Sequence, residues 1–124
     1  MASILRVNTL TDASSGNSTA MSTINQGTAK CWVNFNGTGT IAARDSFNVG
    51  SLTDNGTGDY SVNYSNAMAN DDFSMVGTSC FTSNDTWVQN AKEQTTSLAD
   101  VHVTTGGSLG DASDISVNIH GDLA

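Results

Sequence analysis

The chain has 124 residues, enough for one domain, and only 13% of them are charged. Apolar residues reach 37%, below the usual globular share, and Ser (16), Thr (16), Asn (13) and Gly (12) fill the gap. The formal charge of −8, twelve acids against four bases, excludes the clustered cations that nucleic acid or an anionic membrane surface requires.

Helix formers are scarce, with one Glu and two Lys, whereas Thr suits strands and Gly and Asn mark turns. The expectation is an all-β chain, a small antiparallel β-sandwich with an N-terminal strand and arm. Regular alternation along several segments sets it apart from a disordered polar chain. No apolar run approaches transmembrane length, so membrane insertion is not expected. The N-terminus lacks a basic region followed by an apolar core, which predicts synthesis in a cytoplasm outside the secretory route.

"SILRVNTL" opens the chain and reads as one short strand whose apolar side chains are Ile4, Leu5, Val7 and Leu10. An isolated strand needs a partner, either its own domain or another chain. "TDASSGNSTAMSTINQGT" is polar and without period, an arm rather than core. The boundary is set at 1–28 for this attachment strand and flexible arm, and 29–124 for a β-sandwich head.

"AKCWVNFN" then alternates, with Cys31, Val33 and Phe35 on one face and Trp32 on the other. "IAARDSFNVGSLT" reads as one longer strand with Phe47 and Val49 inward, interrupted at Gly50 by a bulge or a close backbone approach. "DNGTG" reverses the chain: Asn55-Gly56 tolerates the positive φ of a tight hairpin turn, and Gly58 allows a bulge after it. "DYSVNY" aligns Tyr60, Val62 and Tyr64. A loop follows, with a helical turn open at Ala67–Ala69. "FSMVGTSCF" is the next strand, and around Trp87-Val88 a loop or a strand is expected. "DVHVTT" places Val101 and Val103 inward, "GGSLGDASD" is a loop, and "ISVNIHG" places Ile115, Val117 and Ile119 inward. Six to eight strands result.

Chemical signatures are sparse. Cys31 and Cys80 read as buried thiols rather than a bridge, and no metal-ligand spacing accompanies them. His102 and His120 fall on the outer faces of their strands. Asp71-Asp72 could serve as acid and base, but in an Asp-rich loop reads as solvated, and no Gly-x-Ser-x-Gly elbow is present. Asp54, Asp59, Asp111 and Asp114 read as turn supports, because their spacing does not fit a twelve-residue calcium loop. Asn-x-Ser/Thr triplets at Asn17, Asn36, Asn55, Asn63 and Asn84 follow from composition. No enzyme, metal or cofactor is expected. Trp32 must meet either a second layer of the same chain or a neighbouring subunit. Trp87 is read as core, with stacking on a sugar ring as the rival.

The stretch Ala29–Met68, through "AKCWVNFNGTGT", "SFNV" and "TDNGTGDY", resembles a module common in tail-fibre and other structural proteins of tailed-phage virions. The closing "ISVNIHGD" and opening "ILRVNTLTDASSG" are similar to segments of the same family. Relatives often carry Ala where Cys31 stands and Pro where Ala69 stands. The resemblance implies a β head domain, a homotrimer, attachment to the virion by the N-terminal end, and contact with other virion proteins and with a host-surface glycan or protein. The expectation is therefore a non-enzymatic tail-fibre or adhesin-like component, made in the host cytoplasm and located on the virion. A capsid decoration or head-fibre protein and a free carbohydrate-binding module are the alternatives.

Overall fold

The structure is a computed structural model that describes residues 4–80 and 87–124. Segment 81–86, with the Asn84 triplet and the loop before Trp87, lies outside the described residues.

Two short strands, β1 (Thr9–Thr11) and β2 (Ser18–Ala20), pair with each other, and a helix α1 (Met21–Gly27) follows. Asp12 holds the hairpin turn: its Oδ1 accepts from the Ser14 hydroxyl (2.9 Å) and the Gly16 amide (3.0 Å), and its Oδ2 from the Asn17 amide group (2.7 Å). The stretch expected to be a featureless arm is thus locally ordered, although none of it is buried. Of the expected first strand only Thr9 and Leu10 pair; Ile4–Val7 belong to no strand.

The remaining strands are β3 (Cys31–Asn36), β4 (Ala42–Phe47), β5 (Val49–Gly56), β6 (Asp59–Tyr64), β7 (Ser74–Cys80), β8 (Trp87–Gln94), β9 (Leu98–Thr105), β10 (Ser108–Leu109) and β11 (Asp114–His120). They form one antiparallel order, β4-β3-β11-β7-β8-β9-β6-β5, with β10 on β9. The order doubles over, so that β4-β3-β11-β7 faces β5-β6-β9-β8 in a sandwich. The core lies between, and the alternation of four strands fills it: Val33 and Phe35 from β3, Ile115 and Val117 from β11, Tyr60 from β6, and Val101 from β9. The Phe35 and Tyr60 rings meet edge to face across the layers at 5.4 Å. Cys31 is buried with them, and burial pushes its thiol up to about 11. Cys80 is exposed, so the expectation that both thiols are buried fails for it; the two are not bridged.

The described residues hold eleven strands against the expected six to eight, and beyond the unexpected β2 there are two reasons. "IAARDSFNVGSLT" is two strands broken at Asn48, which takes φ +59. Asn tolerates that conformation better than most residues. Its side chain fixes the corner: Nδ2 donates to the carbonyls of Lys30 and Asn66, each at 3.0 Å, and Oδ1 accepts from the Asn66 backbone amide at 2.8 Å. The reversal of facing at this corner turns Phe47 outward, 51% exposed, against the expectation that it packs in the core. The second reason is Gly106-Gly107, which makes a two-residue turn at positive φ and pairs β10 with β9 where a loop was expected.

Gly50 does sit at a register shift between β5 and β6, as its place within a strand suggested. Ala67–Ala69 forms no helical turn. Met68 there bridges Leu123 and is fully buried.

Candidate functional site

The "DNGTG" hairpin is built differently from the expectation. Asn55 does not take positive φ; it lies at a second register shift of β5, where its side chain donates to Ser61 Oγ at 2.7 Å. The reversal falls at Thr57-Gly58, with Gly56 at φ +133 and Gly58 at φ +64. Gly58 is required for contact as well as for the turn. A Cβ there would lie 2.6 Å from both the Gly110 amide nitrogen and the Val103 carbonyl oxygen. Asp111 Oδ1 accepts from the Gly58 amide at 2.7 Å and from the Tyr60 hydroxyl at 2.8 Å, and Tyr60 Oη also lies 2.9 Å from the Gly37 carbonyl. Burial, followed by the Asp111 carboxylate, pushes the Tyr60 phenol upward. The hairpin tip is thereby tied to the β3–β4 loop and to the segment between β10 and β11.

A charged group occupies the outer face of β6, β8 and β9. Lys92 of β8 stands on this face, two residues on from Asn90, which pairs with His102; the Lys92 Nζ lies 2.8 Å from Asp59 Oδ2 and 4.0 Å from Asp100 Oδ2. His102 Nε2 is 3.4 Å from the same Asp59 oxygen. The other oxygens of Asp59 and Asp100 are buried without a hydrogen-bond partner. The Lys92 hydrogen bond, assisted by His102, holds the Asp59 carboxyl below its ordinary range. A depressed native value means that this stabilisation is present above the ordinary carboxylate range, about pH 4, and is lost as pH falls through the native value. Wild-type thermal stability should therefore fall more steeply between pH 5 and pH 2 than that of Asp59→Asn, measured by circular dichroism; parallel curves would refute the linkage. Among the described residues no three His, Cys, Asp or Glu side chains converge as metal ligands would, and no pocket opens.

The sequence-derived assembly residues divide in two. Ile4 (74% exposed), Leu5 (81%), Val7 and Leu10 all project into solvent, and Ile4–Val7 make no backbone hydrogen bond among the described residues. Trp32 is half-buried on the outer face of β3, where cross-strand register places it between Phe47 of β4 and Asn118 of β11, with Val76 of β7 next in the row. Phe47 and Val76, 60% exposed, are the apolar members of this row that alternation alone missed. The signal available was Asn48, whose left-handed tolerance allows the facing to reverse. Trp87 opens β8 opposite Ser79 and Thr105; its side chain lies outside the described part, so the choice between core and sugar stacking is not reached.

Arg44 pairs with Asp114 at 3.5 Å, and Asn34 donates to the same carboxylate at 2.6 Å, linking β4, β3 and β11. Asp54 Oδ1 accepts from the Gly56 amide at 2.9 Å, a turn support as expected. His120 sits on the outer face of β11, as its alternation indicated.

No protein family, no curated protein and no solved structure matches the chain.

Proposed function

We propose that the chain is a non-enzymatic structural component of a tailed-phage virion: a short tail-fibre or adhesin-like protein, acting as a homotrimer, that presents its sandwich for contact with a host-surface glycan or protein. The observation that carries the reading is the contrast between the two parts of the chain. The sandwich closes its own core, while the segment before it leaves the side chains of Ile4, Leu5, Val7 and Leu10 exposed to water. A chain that leaves apolar side chains together in solvent has a surface to cover, and an anchoring segment accounts for it. The resemblance of Ala29–Met68 to a module of tailed-phage virion proteins supports the virion context. Antibody raised against the recombinant chain should label particles of the encoding phage at the tail in negative-stain images. Label on the shell would identify a capsid decoration or head-fibre protein. Unlabelled particles would remove the chain from the virion and leave the carbohydrate-binding module, to be tested on glycans.

A further inference from the structure

The chain carries two unsatisfied surfaces that fit each other. One is the Ile4–Val7 segment, with no backbone partner, exposed apolar side chains, and a guanidinium on Arg6 that meets no carboxylate among the described residues. The other is β4. It ends the hydrogen-bonded order, so its outer edge is unpaired among the described residues, and all six of its residues are exposed. An open strand edge templates another strand unless it is blocked or filled. On the outer face of β4 stand Phe47, opposite Trp32, and Asp45, opposite Asn34. No cation pairs with Asp45 among the described residues; its Oδ1 accepts only the Ser46 amide, at 2.8 Å. On the inner face Ser46 and Ala43 lie opposite the buried Val33 and Phe35, and both are small and uncovered.

We propose that the Ile4–Val7 segment of one copy pairs antiparallel with the edge of β4 in a second copy, with Ile4 opposite Phe47, Leu5 opposite Ser46 and Arg6 opposite Asp45. This register is set by the period of two. Ile4 and Arg6 share one face and meet the apolar ring and the free carboxylate, which are also two residues apart. Leu5, on the other face, covers the small side chain of Ser46; Val7 follows it to the β-bulge, where Arg44 is drawn away toward Asn34 and Asp114 and the next residue, Ala43, lies opposite Phe35. The main chains supply the ladder, and the side chains fix its register. The contact is head-to-tail, so copies related by rotation close into a ring, as a homotrimer requires. The proposal rests on the reading of the N-terminal segment as an assembly element and is independent of the chain's place on a virion.

The test uses the full chain in a Cys80→Ser background. Mixing a Leu5→Cys chain with a Ser46→Cys chain under mild oxidation should give a reducible heterodimer as the main product. In parallel, light scattering of the full chain carrying Leu5→Asp and Val7→Asp should read a mass about threefold below wild type. Its circular dichroism should be unchanged, because both positions are exposed. A lost oligomer without the heterodimer would overturn β4 as the acceptor while keeping the segment as the assembly element. A bond formed only within one chain carrying both cysteines would overturn the second copy as the occupant. An oligomer that survives the aspartates would overturn the proposal together with the assembly reading. Heterodimer formation with unlabelled phage particles would leave the proposal standing and the virion reading refuted.

Discussion

Phe35→Ala should destabilise the fold by about 3–5 kcal/mol, a large share of the total for a chain of this size. The ring is fully buried and packs edge-on against Tyr60 of the facing layer. Its loss removes apolar contact from both layers at once. The layers are joined through the β7–β8 pairing and the Asn48 corner and cannot close fully over the gap, so a cavity remains. At roughly 3–5 °C per kcal/mol the melting temperature should fall by more than about 10 °C. Chemical denaturation gives the free energy directly. Val76→Ala, at an exposed position on the outer face, should stay within about 0.5 kcal/mol of wild type. Equal losses for the two variants would mean that the core between the layers is not where the stability resides.

Gly58→Ala should be nearly as damaging, for a different reason. The left-handed backbone costs a side chain about 1–2 kcal/mol. The added Cβ also meets two backbone atoms, on Val103 and Gly110, that belong to paired strands or their immediate continuation. Forcing them apart costs about 1–3 kcal/mol more. The matching control is Gly39→Ala. Gly39 takes the same φ of +64, and nothing lies within 4 Å of its would-be Cβ. The difference between the two variants therefore isolates the close approach. If Gly39→Ala and Gly58→Ala cost the same, the tip of the β5–β6 hairpin is not wedged against the β9–β11 crossover.

The same contrast between faces explains which parts of the fold were legible. β3, β6, β9 and β11 turn apolar side chains inward and mostly polar ones outward, with Ser61 and Asp100 buried even on the outer face, so their alternation survives in the sequence and marks the core from Val33 to Ile119. β4 buries nothing, because both its faces meet water. Selection for an inward side chain left no pattern in "AARDSF", and the corner at Asn48 went unseen between two strands read as one. β8 shifts register after Ala91, and its polar "QNAKEQ" offers no apolar alternation to read. α1 has no acid in its first turn, no base in its last, no side-chain cap and no buried residue, so none of the usual helix signals was there to read. The Asn-Gly pair does signal a reversal. The turn moved two residues on because Asn55 was taken up by the bulge and its bond to Ser61. Of the candidate surface, Ile4, Leu5, Val7 and Trp32 were legible as apolar residues out of place. Phe47 and Asp45 were not, since their exposure depends on an edge that only the strand order reveals.

That strand order also has a consequence in time. β11, the latest in sequence of the described strands, lies in the middle of its layer, between β3 and β7. Until it emerges during synthesis, its two neighbours cannot be joined, and each presents a bare flank together with apolar side chains that face nothing. Such distant pairings make folding slow, about milliseconds to seconds, and leave the growing chain open to wrong partners until its final strand is in place. Removing a few residues near Ile119 would therefore excise the centre of a layer, and the loss would reach both strands beside it.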